Sequence, residues 1–258
     1  MKVGRPRDRT SSISTADATS ITVRERDLAG LIGTISFTDY FVLLLMGRPP
    51  TADERFFLDA CLVAIAEHGL VPNVQAARMT LAADPGALQA AVAAGILGCG
   101  SVVLGTSELA GRMLDGAIER MKQTGSDEVT IAREIAGEYR ARKAALPGFG
   151  HPLHKPVDPR AQRLLALADE RGTAGPHVRM ARAFGAVVDE VWGKQLTMNV
   201  STAIPAVMLD VGFPLEALKG IPILARTASL LAHLREDGTQ PLGFYLADHA
   251  AEAVTYVP

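Results

Sequence analysis

Apolar positions along this chain recur at three- and four-residue intervals far more often than they alternate, and Gly, Pro and Asp cut the pattern into segments. Phe37 to Met46 forms a strongly apolar helical run. In "TADERFFLDACLVAIAEHG", Thr51 and Glu54 have the spacing of a capping box. Phe57, Cys61, Ala64, Ile65 and His68 then follow on one helical face. "DPGALQAAVAAGILGCG" predicts a small-residue helix able to approach its neighbours closely, and 107–124 and 127–144 read as amphipathic helices with charged outer faces. "DPRAQRLLALADERG" begins with Asp158 as N-cap and Pro159 in the first turn, and stops at Gly172. "HVRMARAFGAVVDEVWG", "STAIPAVMLDVG" and "IPILARTASLLAHLRE" complete the pattern. Strand signals are few, so the expectation is an all-α fold of about ten helices. The loops divide it into a flexible segment over 1–21, a large helical domain from 22–144 and 226–258, and a small one over 145–225.

Composition narrows the class. The chain has 258 residues, 48 % of them hydrophobic, and a mean hydropathy of +0.17, enough for a sizeable core. A formal charge of −2 with no basic cluster leaves no footprint for nucleic acid. Cys61 and Cys99 lie in apolar helical stretches and read as buried thiols. The start is basic and then Ser/Thr-rich without an apolar core, so no secretory leader is expected and the location expected is cytoplasmic. Glycines interrupt the longest apolar run, which reads as a buried helix, so no membrane partner is expected.

The candidate chemistry concentrates in "LPGFGHPLHKPVDPRAQRL", residues 146–164. Arg160 falls in the first turn of a helix, where the dipole disfavours a cation unless an anion joins it. It is either a solvated arginine or half of a carboxylate or phosphate site. Gly148 and Gly150 permit close backbone approach by a ligand. His151 after them could donate to a carbonyl oxygen or accept a hydroxyl proton, or be an ordinary loop histidine. His154 and Lys155 read as peripheral, Lys155 as a candidate for a phosphate-bearing ligand. His68, before Gly69, has both a structural reading at a helix end and a site reading. The six histidines form no spaced metal motif, and hydrolase, P-loop and dinucleotide fingerprints are missing.

Taken together, "GFGHPLHKPVDPRA" resembles the G-x-G-H-x-x-x-K-x-x-D-P-R signature of the citrate synthase superfamily. "AEHGLVPNVQAAR" (66–78) resembles its helix-end histidine segment, "LARTASLLAH" (224–233) its A-R-T-x-x-x-x-A-H helix, and "MNVSTAIPAVMLDVG" (198–212) falls where an N-V-D segment belongs. Order and spacing agree over residues 22–258, closest to citryl-CoA lyases and the corresponding C-terminal module of ATP-citrate lyase. The resemblance implies a two-lobe helical fold, a homodimer or a higher dimer-based oligomer, and a coenzyme A thioester as substrate with no permanently bound cofactor and no metal. The partner ligands would be an acyl-CoA and a 2-oxo or hydroxy acid such as oxaloacetate. His151 would polarise the oxaloacetate carbonyl, Arg160 and Arg226 would hold carboxylates, and His68 would line the same pocket as a catalytic and binding residue. Gly148, Gly150 and Lys155 would face the coenzyme A side.

Three departures shape the expectation. Val103 stands at or near the position of a second family histidine, one that citryl-CoA lyases also lack. Ser201 replaces the aspartate of N-V-D, which moves the proton at the acetyl methyl. A hydroxyl there forfeits general acid–base help worth about 10²–10⁴-fold. No arginine follows Arg235, and Gln240 stands near the position of a further family arginine. Carbon–carbon lyase activity is the leading reading. Its alternatives are a homologue that binds coenzyme A or a metabolite without turnover, and a lyase of altered specificity.

Overall fold

In a computed structural model of the chain, residues 10–257 are described, with the side chains of Val102 and Val103 excepted. The position that the resemblance assigns to Val103 therefore lies outside the described residues. Contacts divide the chain into two compact units, one through Phe56 and one from Phe57 onward.

The first unit opens with three short antiparallel strands in sequential order, β1 (Ser14–Ala16), β2 (Ile21–Val23) and β3 (Arg26–Asp27). Thr15 pairs with Thr22, and Val23 with Arg26. These strands occupy part of the stretch that the sequence reading left as a flexible start. α1 (Leu28–Leu31) and α2 (Phe37–Met46) follow, α2 capped by Ser36 and closed by left-handed Gly47. Helix α3 (Ala52–Ala66) begins with the expected capping box: the Glu54 amide donates to Thr51 Oγ1 at 3.1 Å, and the Thr51 amide to Glu54 Oε2 at 2.7 Å.

In the second unit, α4 (Pro72–Ala83) packs along α5 (Leu88–Val103), the small-residue helix. α6 (Thr106–Thr124), α7 (Glu128–Ala141), α8 (Pro159–Glu170), α9 (Pro176–Trp192), α10 (Val200–Asp210), α11 (Gly220–Asp237) and α12 (Gly243–Ala253) complete it. Among the described residues there are thus twelve α-helices and one small sheet, and the all-α reading holds. Small residues on α5 let neighbouring backbones close in: a Cβ at Gly95 would lie 2.7 Å from a Leu230 methyl on α11 and 3.0 Å from Ala77 on α4. Val74, Ala77, Ala91, Leu230 and Leu234 form the core between these three helices. The apolar run from Leu88 to Thr124 is long enough to cross a membrane by length and composition, but α5 breaks at Gly100 (φ 52°) and is packed against α4 and α11. A second group joins α10 to α6, α8 and α9, so helices from both sides of the expected 144/145 boundary pack within this unit.

Candidate active site

The turn after α3 places the first histidine. The helix ends at Ala66, two residues short of His68, which lies in the turn rather than on the helix. Glu67 holds that turn: Oε1 accepts the amides of His68 (2.8 Å) and Gly69 (2.5 Å). Its Oε2 accepts the Ser229 hydroxyl (2.6 Å) and His233 Nε2–H (3.0 Å) from α11. Arg78, fully buried on α4, donates to His233 Nδ1 at 2.9 Å and pairs with Asp237 and Glu236. An arginine can only donate, so the His233 proton sits on Nε2 and points at Glu67. Burial would push the Glu67 carboxyl up, but the bonds from Ser229 and Gly69, with His233 beside them, hold it below its usual value.

The glycine-rich loop is clamped onto the segment leading into α10. Gly150 N donates to Thr197 O (2.7 Å), Asn199 N to Gly148 O (2.9 Å) and Asn199 Nδ2 to Gly150 O (2.8 Å). Gly148 has φ +76°, and a Cβ there would fall 1.9 Å from Thr202 Oγ1, so the close approach at this glycine is to α10. His151 then folds its own ring back: Nδ1 accepts the amides of Leu153 (3.1 Å) and His154 (2.9 Å). As a neutral ring, His151 therefore carries its proton on Nε2, which lies 3.5 Å from Arg160 Nη2.

Asp158 is the N-cap of α8, as its sequence position predicts, but it does more than cap. Fully buried, it accepts the Arg160 amide (3.0 Å), Nε (3.0 Å) and Nη2 (2.8 Å) of the same residue, and the Val200 amide at the start of α10 (3.0 Å). The anion that Arg160 needs at a helix N-terminus is thus supplied by the chain itself. Burial raises the Asp158 carboxyl, and the stronger pull of Arg160 and the two amides brings it below its ordinary range.

Arg226 on α11 has no such partner. It is 4 % exposed, its Nη1 donates only to Ala66 O at 3.3 Å, and its Nε is buried with no hydrogen bond. Burial pulls the guanidinium below its usual range, opposed by Cys99 and Glu67.

These side chains share one cavity of about 340 Å³, lined by His68, His151, Arg160, Ser201 and Arg226 together with Asn73, Thr106 and Asn199. Five residues singled out from sequence therefore converge. Gly148, Gly150 and the exposed Lys155 lie outside its lining. Sequence reasoning missed Asn73, 2 % exposed in the first turn of α4, whose Nδ2 is buried without a partner. It also set His154 aside, although His68 Nε2 lies 3.2 Å from His154 Nε2 and the His151 and His154 rings stack at 4.4 Å.

The donor atoms of His68, His151 and His154 lie within 4.8 Å of one another, a convergence that linear spacing did not show. The surroundings favour an anion over a cation. Burial, then Arg160, Arg226 and His154, hold the His68 imidazole below its usual value. Burial and His154 do the same to His151, opposed by Asp158. At neutral pH both rings are uncharged donors or acceptors beside two permanent positive charges. The arrangement can bind a carboxylate-bearing molecule and polarise an oxygen on it.

Comparison with known proteins identifies the family. The family model for the C-terminal domain of citrate synthase matches residues 34–242. Citrate synthase of Synechocystis is 28 % identical over 239 residues, covering 87 % of this chain and 56 % of the relative. The chain spans about half the length of the curated relatives it matches. Among solved structures, citryl-CoA lyase from Hydrogenobacter thermophilus superposes with a TM-score of 0.78 at 31 % identity, covering 90 % of this chain and 87 % of that one. ATP citrate lyase from Methanothrix soehngenii, in complex with citrate and coenzyme A, shares the fold at a TM-score of 0.79 and 20 % identity, over 99 % of this chain and 42 % of its own. The two arginines, the loop histidine and the turn histidine stand within the span of that family match, and the chain belongs to the citrate synthase family.

Proposed function

We propose that this protein cleaves, or forms, the carbon–carbon bond between an acyl-CoA and a 2-oxo acid such as oxaloacetate, with citryl-CoA lyase activity as the leading form. The observation that carries the reading is Arg226: a buried guanidinium with an unpaired Nε beside a cavity that also holds Arg160, His68 and His151. A buried cation without a counter-ion is costly, and a substrate carboxylate would satisfy it. The 31 % identity to a citryl-CoA lyase that matches nearly end to end supports that choice of reaction.

In cleavage of citryl-CoA, the tertiary hydroxyl loses its proton and the C–C bond breaks. Its carbon becomes the ketone of oxaloacetate, and the bonding pair passes to the thioester enolate, whose carbon takes up a proton. Arg226 and Arg160 would hold the acid's carboxylates, and His151 would present Nε2–H to the oxygen that becomes the ketone. Asn73 Nδ2 would donate to the same acid. Gly148, Gly150 and Lys155 would lie toward the coenzyme A portion. No metal enters this scheme, since the arginines supply the compensating charge. The working form would be a homodimer or a dimer-based assembly in the cytoplasm.

Ser201 favours a second reading, a homologue that binds these ligands without turning them over, because a serine hydroxyl is a poor acid or base where the family places a carboxylate. Asp158 is the carboxylate tied to the neighbouring Val200 amide, and its bonds to Arg160 spend its basicity. Oxaloacetate release from citryl-CoA, followed for wild type and Arg226→Ala, separates the readings. Turnover lost in the variant supports the lyase, whereas oxaloacetate binding without wild-type turnover supports the binding protein.

A further inference from the structure

His154 lies outside the cavity lining but touches two residues that line it, His68 and His151. Its Nε2 is 3.2 Å from His68 Nε2, within hydrogen-bond reach. Two imidazole nitrogens at that distance hold a single proton between them: one ring donates, and the other must present a lone pair. The tautomers of His68 and His154 are therefore set against each other. With Nε2 committed to His154, His68 keeps Nδ1, which makes no hydrogen bond among the described residues. A proton accepted at His68 Nδ1 can release the Nε2 proton to His154, and the reverse transfer restores both rings. The charge moves from His68 to His154 without a carboxylate.

We propose that His154 is a positioning residue that acts through His68, sharing one proton across the Nε2–Nε2 contact so that His68 can take up and return a proton in place of the carboxylate that Ser201 lacks. The inference rests on reading the cavity as a lyase site. In cleavage, His68 accepts the hydroxyl proton and passes its Nε2 proton to His154 as the C–C bond opens. The same proton count returns through His68 to the enolate carbon, leaving both rings as they began.

The charged and titratable groups around the pair limit how it behaves. His151 stacks on His154 at 4.4 Å and meets His68 edge-on at 5.4 Å. Arg160 and Asp158, at the start of α8, and Arg226, on α11, act on His68 electrostatically. Burial and two positive neighbours, against one carboxylate, favour a neutral His68, whose Nε2 then shares one proton with His154.

One test needs no turnover. Histidine ring signals of the full-length protein, titrated by NMR, should give a His68 curve that shifts in His154→Gln. A His68 curve unchanged by His154→Gln overturns the proposal, whether or not the protein is a lyase. The second test uses citryl-CoA. Glutamine keeps a hydrogen-bonding group near His68 but cannot relay a proton, so His154→Gln should lose about 10²-fold in kcat with KM changed less than about threefold. His154→Ala should lose as much and regain part of it with added free imidazole. A purely structural role for His154 makes the opposite forecast, with activity restored by glutamine and unaffected by imidazole, and that result overturns the relay. If the His68 curve responds to His154→Gln but wild type does not cleave citryl-CoA, the lyase reading falls and with it the catalytic role of the relay. Stoichiometric zinc binding lost in His154→Ala would also overturn it, since a coordinated pair cannot exchange a proton.

Discussion

Arg160 and Arg226 line the same cavity and carry the same charge, yet the chain treats them differently. Arg160 is held by three hydrogen bonds to Asp158, a carboxylate that also secures the amide at the start of α10. Arg226 is more deeply buried and has one backbone carbonyl and an orphaned Nε. The first arginine is part of the architecture as well as the site. The second makes no ion pair among the described residues. A family motif by itself cannot draw this distinction, because both residues match it equally well.

The largest effect should come from breaking the paired side. Arg160→Ala leaves Asp158 as a buried, uncompensated carboxylate, and should cost about 3–5 kcal/mol of stability in denaturant titration. A loss below about 1 kcal/mol would mean that Arg160 is not structural. On the unpaired side the sign reverses. Arg226→Met removes a buried charge that makes no ion pair among the described residues, so stability should be unchanged or raised by about 1–4 kcal/mol. A destabilised Arg226→Met protein would reveal an internal partner for this arginine.

Supplying the cavity with a carboxylate sharpens the contrast further. Ser201→Asp should raise citryl-CoA cleavage by at least about tenfold, as expected for restored general acid–base help. It should also weaken oxaloacetate binding, because the new charge competes for Arg226. Efficient cleavage by wild type with no gain in the variant would place the proton-moving group elsewhere, with His68 and His154 the first candidates.

The smallest effect concerns pH. His68 and His151 are held below their ordinary value in the empty protein, first by burial. The unfolded chain therefore binds protons first, near the ordinary histidine value of about 6.5. As pH falls through that point, the empty protein should lose stability. A bound dicarboxylate offsets the repulsion from the arginines and raises both values, so the melting-temperature increase caused by oxaloacetate should grow from pH 8 to pH 6. A ligand increment that shrinks with acidification would show that the histidines do not share the anion's site.

Much of this was readable in the sequence, for reasons that differ by residue. Thr51 with Glu54, and Asp158 with Pro159, are short-range signals whose partners lie within three residues, and both form as read. His68, His151, Arg160, Ser201 and Arg226 converge because order and spacing along a family fold carry their positions. The strands β1 to β3 were missed because two or three residues are too few to show an alternation. His154 looked peripheral since its partner is 86 positions away. Asn73 resembles any polar residue in a first helical turn until its unpaired amide is seen. Asp158 was recognised as a cap, but its bond to Val200, 42 positions on, belongs to tertiary structure alone.

The claim that most needs testing is that Arg226 waits for a substrate carboxylate. Calorimetric titration of oxaloacetate into wild type and Arg226→Met at pH 7 addresses it directly. Removing one member of a buried, hydrogen-bonded charge pair costs about 2–5 kcal/mol of binding, or roughly 30-fold to several thousandfold in Kd. Saturable wild-type binding that weakens on this scale in Arg226→Met is the predicted result. Equal affinity in the two proteins, or no wild-type binding at millimolar oxaloacetate, would contradict it.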